Sequence, residues 1–588
     1  MQTEPRTVSI PEALQLGVDH HQAGRLAEAE RIYQQILATE PGNPHALQLL
    51  GLAAHMAGKH ERAIELMLKA LVRIPGEPVV LNNLGEAYRS LGKFDEAIAC
   101  YDKALAAKPD YAECKGNRGI ALSELGRHAE ALAAFDQALA ANPRHAWTLS
   151  NRGIVLQELG RNEEALASLD QALAIDPAFA AALSNRGNAL RKLRRYDEAL
   201  EACDKALALK PDFHGALANR ANVLEELGRH DEALALYDKA LELKPDFDKA
   251  WGDRGIVLQE LGRFDEALAS YAKALAIAPG FAHAHYNEGL CRLMLGEFEQ
   301  GWEKYEWRWA ASVCTPRAFT QPRWSGKESV RGKTVLLHAE QGLGDTIQFA
   351  RYARDIAKKG AKVVLEVQPV LHPLFAGIPE PHKVVKQGDP LPAFDFHCPL
   401  LSLPRAFGTR LGTIPAPIPY LSVKKAAAAK WRKQFAAPGT RLVGLAWKGD
   451  PDYRKDRDRS IRLADLKPLF ATPGVRFVSL QKDLDDEERA LTARMENFVH
   501  PGASFKDTAE MIGALDLVVS VDTAWAHWAG ATGKPLWVLL AFMPHWIWQL
   551  DRADNPWYPT ARLFRQREVG EWGAPIKELA KELRRSPK

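Results

Sequence analysis

Three short segments in the second half of this 588-residue chain bring together residue types that do chemistry. The first, E-Q-G-L-G-D-T-I at 340–347, sets Gly342 and Gly344 ahead of a carboxylate, Asp345. Such glycines let the backbone approach a ligand closely, and Asp345 would point into a cleft; its other reading is a helix N-cap. The spacing is not G-x-G-x-x-G, so it does not indicate a dinucleotide. The second, A-W-K-G-D-P-D-Y-R-K-D-R-D-R-S-I at 446–461, collects Lys448, Arg454, Lys455, Arg457, Arg459 and Ser460. Forked guanidinium groups and a lysine suit a diphosphate. The interleaved Asp450, Asp452, Asp456 and Asp458 also allow a plain solvated loop. D-R-D imitates a D-x-D metal motif, but in a basic loop it reads as structural. The third, V-S-V-D-T-A-W-A-H-W-A-G-A-T-G-K-P at 519–535, ends a strand at Asp522 and opens a helix at Thr523, a natural anion site. His527, one turn on, would face the same cleft.

The elements that must position these residues are legible around them. T-V-L-L-H, K-V-V-L-E-V, L-V-G-L-A-W, R-F-V-S-L-Q, L-V-V-S-V-D and P-L-W-V-L-L are short apolar runs separated by helical stretches. Strand–helix alternation implies parallel sheets covered by helices. Open α/β sheets bind ligands at the carboxyl ends of their strands, which is where all three segments fall. Two such blocks, 333–425 and 436–588, joined near 426–431, predict two Rossmann-like lobes with a cleft between them. The segment 312–332, polar and interrupted by Pro316 and Pro322, reads as a linker.

The first half is a repeat array. Proline recurs every 34 residues from Pro41 to Pro279, and glycine recurs in the same register from Gly24 to Gly296, with Arg194 as the exception. Alanine recurs from Ala29 to Ala267. Each unit predicts two helices: a first with a central glycine (Gly85, Gly119, Gly153), ending at L-G-[RK] in a left-handed turn, and a second that proline terminates. The pattern resembles the tetratricopeptide repeat, with eight full units over about 10–281 and a degenerate ninth to about 311. The ninth replaces its closing proline with G-W-E-K-Y-E-W-R-W, which suits either docking onto the next domain or simple capping.

Stacked repeats curl into a superhelix lined by their first helices. One position on that helix reads Asn83, Asn117, Asn151, Asn185, Asn219, Asp253 and Asn287, with Gln15 and Leu49 in the first two units. Amides at one superhelical phase can hydrogen-bond an extended peptide without reading its sequence. Duplication history alone would produce the same ladder.

The α/β half resembles the heptosyltransferase family (glycosyltransferase family 9). That family's small-residue turn ending in G-D matches Gly344 and Asp345. Its D-[ST]-x-x-x-H-x-A-x-A-x-G-x-P matches Asp522, Thr523, His527, Ala529, Ala531, Gly533 and Pro535. The resemblance covers about 333–575 and implies a GT-B fold and sugar transfer from a nucleoside-diphosphate donor without a metal or other cofactor. It implies Asp345 as the general base. Lys448, Arg459, Ser460 and the helix start at Thr523 would hold the diphosphate. Gly342, Gly344, Asp522 and His527 would shape the donor site. The first lobe departs from the family in being short, and in the family that lobe carries acceptor contacts. A protein acceptor on the concave repeat face is therefore expected.

Composition sets bounds on this reading. Lys and Arg number 77 against 74 Asp and Glu, a formal charge of +3, which argues against a nucleic-acid binder. No apolar run approaches the roughly 20 residues of a membrane span, the N-terminus lacks a signal-peptide pattern, and six scattered cysteines form no C-x-x-C pair. A cytoplasmic protein is expected. Thirteen of 15 tryptophans lie at or beyond Trp302, marking a border between two different halves. G-K-E-S-V-R-G-K-T at 326–334 has the wrong spacing and context for a P-loop. Trp546, Trp548, Trp557 and Tyr558 offer a sugar platform or, more simply, core packing. The leading expectation is an all-α repeat superhelix followed by a GT-B-type α/β glycosyltransferase. The alternative is a repeat scaffold or assembly factor, of the kind linked to flagellar or surface-glycan biogenesis, whose α/β body is inactive or only senses a nucleotide-sugar.

Overall fold

The computed structural model describes residues 9–375, 381–415, 417–453 and 456–585. Arg454 and Lys455 of the basic loop lie outside the described residues. The chain divides into two compact units, Met1–Pro245 and Asp246–Lys588.

The first unit is built from helix pairs, from Ile10–Gln22 with Leu26–Thr39 to His214–Glu226 with His230–Leu243. Why the 34-residue register holds is visible at its small residues. A Cβ on Gly119 would meet the Phe135 ring at 2.8 Å and one on Gly153 would meet Leu169 at 2.7 Å, so only glycine lets the two helices of a pair close. The alanines of the second helices, including Ala97, Ala131 and Ala165, are fully buried. Gly92, Gly126 and Gly160 adopt φ near +72° between the helices, as the L-G-[RK] signal predicts. Arg194 takes the same conformation, φ 60°, at the one unit that lacks the glycine.

The second unit opens with two more pairs, Asp248–Glu260 with Phe264–Ile277 and Ala282–Met294 with Phe298–Tyr305, closed by a 3-10 turn, Glu306–Arg308. An α/β body with two parallel sheets follows. The first contains β1 (Thr334–His338), β2 (Lys362–Val367), β3 (Lys383–Lys386) and β4 (Phe396–Pro399) in the order β3-β2-β1-β4. The second contains β5 (Arg441–Ala446), β6 (Val475–Ser479), β7 (Phe498–Val499), β8 (Leu517–Val521), β9 (Leu536–Leu540) and β10 (Ala561–Arg565) in the order β10-β9-β8-β5-β6-β7. The pairings between these strands are parallel, and a single antiparallel bridge joins Asp554 to Arg562 of β10 among the described residues. β8 and β9 are buried along their whole length, as apolar runs in a two-sided sheet should be. Strand order reverses at β1 and again between β5 and β8. Ligand crevices of open sheets form at such points, and the three chemically interesting segments follow β1, β5 and β8.

Residues 312–332 carry no helix or strand, yet they are tied down. Trp324 donates its backbone N–H to the His397 carbonyl at 2.8 Å, and His397 donates to Pro322 at 3.2 Å. Trp324 is buried. This segment covers the outer edge of β4, where an open strand edge would otherwise be exposed.

The last helix pair, Ala282–Met294 with Phe298–Tyr305, read from sequence as a degenerate ninth repeat, packs onto the α/β body. Phe298, Trp302 and Tyr305 share one core with Trp546, Trp548, Trp557 and Tyr558. The Trp302 indole N–H donates to the Thr409 carbonyl at 3.0 Å, and the Gln549 amide donates to the Leu293 carbonyl at 2.9 Å. The tryptophan-rich stretch is therefore core packing; its rings are buried and offer no face to a sugar.

Candidate functional site

At the carboxyl end of β1 the chain turns through 339–342 into a short helix, Leu343–Phe349. Gly342 is the N-cap, and Asp345, in the first turn, accepts the Gly342 backbone N–H at 3.1 Å. Its carboxylate thus orders the turn while remaining half-buried. Burial raises the Asp345 carboxyl above the usual range, and repulsion from Asp522 adds to this; His545, His527 and the Gly342 N–H pull the other way.

The helix Ala524–Ala531 packs against this turn from the second sheet. Gly344 permits the approach: a Cβ there would meet the His527 ring at 2.7 Å. His527 is buried, with Nδ1 2.9 Å from the Tyr558 hydroxyl and Nε2 3.7 Å from the Asp522 carboxylate. Desolvation would raise Asp522, but His527, His545 and Arg459 outweigh it and hold it down at about 2. Thr523 caps the helix in extended conformation, its hydroxyl 3.0 Å from Ser520. Gly344 and Asp345, from the end of the first sheet, therefore meet Asp522 and His527 from the end of the second. His545 joins them from the loop after β9, where it interacts electrostatically with Asp522 and Asp345. Its signal was the same strand-end position that marked the other three segments, at the end of P-L-W-V-L-L.

The basic loop is more self-contained than its composition indicated. Arg459 donates to the Asp522 carbonyl at 2.8 Å and to Asp456 at 2.9 Å, which brings it to the start of the Ala524–Ala531 helix. Ser460 accepts from the Gly449 N–H and donates to Asp456 at 2.7 Å. Lys448 is held elsewhere, by Glu488 at 2.7 Å and Asp485 at 3.4 Å, the two residues that cap helix Asp486–Thr492. A cavity of about 280 Å³ opens beside Lys448, Ser460, Asp485 and Glu488. Asp456, one of the four aspartates that allow a solvated-loop reading, is the buried acceptor around which the loop folds.

The amide ladder carries structural bonds of its own. Asn117 donates to Asn82 at 3.1 Å, Asn185 to the Ser150 hydroxyl at 3.4 Å, and Asn219 to the Ser184 hydroxyl at 2.9 Å. Each reaches back 35 residues into the preceding unit. Asn151 finds a glycine, Gly116, at the corresponding position and donates instead to its own Trp147 carbonyl at 2.9 Å. Asn83 and Asn287 are half-buried at the same register. The arginine that follows Asn117, Asn151, Asn185 and Asn219 was missed in sequence: Arg118, Arg152, Arg186 and Arg220 pair with Asp102, Asp136, Asp170 and Asp204 of the preceding unit, each at 2.7 Å.

Among the described residues no group of three or more His, Cys, Asp or Glu is placed to hold a metal ion, and no helix is long and apolar enough to cross a membrane.

Family profiles described as "Tetratricopeptide repeat" match residues 14–78, 77–144, 117–178, 180–213, 215–247 and 248–281. Residues 14–281 are tetratricopeptide repeats. The curated Protein FlbA of Caulobacter vibrioides is 29% identical over 314 residues, 48% of this chain; the chain spans 52% of that relative's length. Solved structures similar to the repeats include the APC/C hetero-tetramer Cut9-Hcn1, 18% identical over 45% of this chain and 52% of that chain, TM-score 0.38. A tetratricopeptide repeat protein from Parabacteroides merdae is 20% identical over 48% of this chain and 98% of its own, TM-score 0.35. TTC0263 of Thermus thermophilus is 26% identical over 31% and 99%, TM-score 0.29.

Proposed function

We propose that this chain is a two-lobed, GT-B-type glycosyltransferase whose tetratricopeptide repeats hold a protein acceptor. The observation that carries the reading is the meeting of Asp345, from the first sheet, with Asp522, His527 and Arg459 at the helix start of the second. In this reading the acceptor hydroxyl loses its proton to Asp345 as its oxygen attacks the anomeric carbon. The bond to the nucleoside diphosphate breaks with inversion. The departing diphosphate is met by Arg459 and the unpaired N–H groups at Thr523. A carboxyl raised by its surroundings is a better proton acceptor than an ordinary aspartate. No metal is assigned a role, in keeping with the heptosyltransferases that the cleft residues resemble.

A second reading is a repeat scaffold whose α/β body binds a nucleotide-sugar without transferring it, or binds none. The family matches on the repeats support it, and so does the engagement of Lys448 and Ser460 with acidic partners.

Calorimetry of the full chain with a panel of nucleoside-diphosphate sugars, followed by product analysis, separates the two. The transferase reading expects at least one donor to bind and to be consumed. Asp345→Ala should preserve donor binding and lower turnover by roughly 10²-fold or more, while Thr523→Trp should abolish binding. Binding without turnover selects the scaffold with a sensing lobe. Failure of every donor to bind removes the transferase reading.

A further inference from the structure

The turn that carries Asp345 is built partly by the ninth repeat. Arg308, the last residue of the 3-10 turn Glu306–Arg308, is fully buried. Its guanidinium donates to both Glu340 carboxylate oxygens at 3.1 Å, to Glu306 at 2.9 Å and to the Ser402 hydroxyl at 2.6 Å. The Tyr305 and Trp309 rings lie 4.9 and 4.5 Å from it. Glu340 also accepts the Leu401 backbone N–H at 3.0 Å. Arg323 closes the network on Glu306 and Ser402, so two cations meet two carboxylates. The next residue of the turn is fastened from the same repeat: the Tyr305 hydroxyl donates to Gln341 at 3.2 Å, and Gln341 donates to Cys314 at 3.1 Å. Gly342, the N-cap that binds Asp345, follows directly.

Packing alone does not call for this arrangement. A buried ion pair is commonly replaced by apolar groups of similar volume with no loss of stability. What the guanidinium fork provides is direction, because its donors match one carboxylate in one orientation. Residues 340 and 341 are each fixed by a side chain of the repeat, and beyond them Gly344 packs directly on the His527 ring while Asp345 feels the charge of His527.

We propose that Arg308 is a positioning residue: from the last repeat, acting through Glu340, it holds the 340–345 turn in the conformation that aims Asp345 at the second sheet. The array would then be part of the cleft's machinery as well as a recruiting arm. The kinetic consequence rests on the reading of Asp345 as the acceptor base; the positioning itself does not.

The test uses the full chain and the paired replacement Arg308→Met with Glu340→Leu, which removes both charges together and leaves the Glu306–Arg323 pair. Hydrogen exchange in the 340–349 segment is compared with that of the Ala524–Ala531 helix. Positioning expects exchange at 340–349 to rise roughly tenfold or more, the equivalent of about one lost charge-assisted bond, with the second helix unchanged. With whichever donor of the nucleotide-sugar panel is consumed, kcat should fall while donor Kd stays the same and the acid limb of the pH–rate profile moves. Wild-type exchange in the folded double variant overturns the proposal. Should the double variant fail to fold, Glu340→Gln, equal in shape, is expected to raise exchange at 340–349 about threefold, and wild-type rates there overturn the proposal equally. If exchange responds but wild type consumes no donor, the transferase reading fails and the positioning role stands.

Discussion

His338 shows how much a single buried side chain can set. It lies at the end of β1 with its Nε2 3.2 Å from Nδ1 of His397, packed against Phe319 and facing Arg317, Arg323 and Arg308. Burial, reinforced by these positive neighbours, pushes it down to about 3. Glu366, its register partner on β2, is engaged by Arg317. The unfolded chain takes up a proton here near pH 6.5 and the folded chain does not. The neutral imidazole's contribution is therefore intact above pH 6.5 and lost as pH falls towards 3, amounting to about 2 kcal/mol at pH 5. His338→Leu should remove about 2 kcal/mol from the loss of unfolding free energy between pH 7 and 5, as read by urea denaturation at each pH. An unchanged slope would show that the imidazole is free to charge in place.

At the scale of elements, the repeat interfaces are stitched by side chains that the pattern alone presents as a ligand ladder. The Asn117 amide bonds to Asn82, which is itself buried, so Asn117→Ala leaves an unsatisfied acceptor. A loss of about 1–2 kcal/mol is expected, with a similar but smaller loss for Asn219→Ala. Asn151→Ala should cost no more than about 0.5 kcal/mol, because its amide bonds only within its own helix. Chemical denaturation of the three variants tests the ordering. Equal losses would mean that the inter-unit bonds contribute nothing distinct. The ladder's periodicity was plain in sequence. Its bonding was not, because a residue's partner 35 positions back depends on how adjacent units stack, and one substitution, Gly116 for a polar residue, reroutes an amide.

For the whole molecule, the boundary between repeats and α/β body is a composition boundary but not a folding one. Phe298, Trp302 and Tyr305 lie in the core of the second unit, where Trp302 meets Trp546 edge-on at 5.2 Å. Burial of each ring is worth about 1.5–3 kcal/mol. A chain beginning at residue 312 should expose that aromatic face, bind a hydrophobic dye and self-associate, whereas one beginning at 246 should stay monodisperse. Size exclusion with dye fluorescence distinguishes them. A well-behaved chain from 312 would mean that the body closes its core without the ninth repeat.

Period and composition were sufficient for the 34-residue register, its glycines, alanines and prolines, and the parallel α/β alternation, because these are local consequences of helix packing and strand burial. The same local logic placed Asp345, Asp522, Thr523 and His527 at strand ends. It did not reveal that Lys448 is bound to Glu488, that Asp456 organises the basic loop, that His545 acts on Asp345 and Asp522, or that Arg308 is bound to Glu340. Charged side chains choose partners through space, and a list of cations along the chain says nothing about which carboxylate each will meet. Only the folded arrangement decided that the ninth repeat would hold the Asp345 turn, because Arg308 and Glu340 are 32 residues apart in sequence and come together only when the repeat docks.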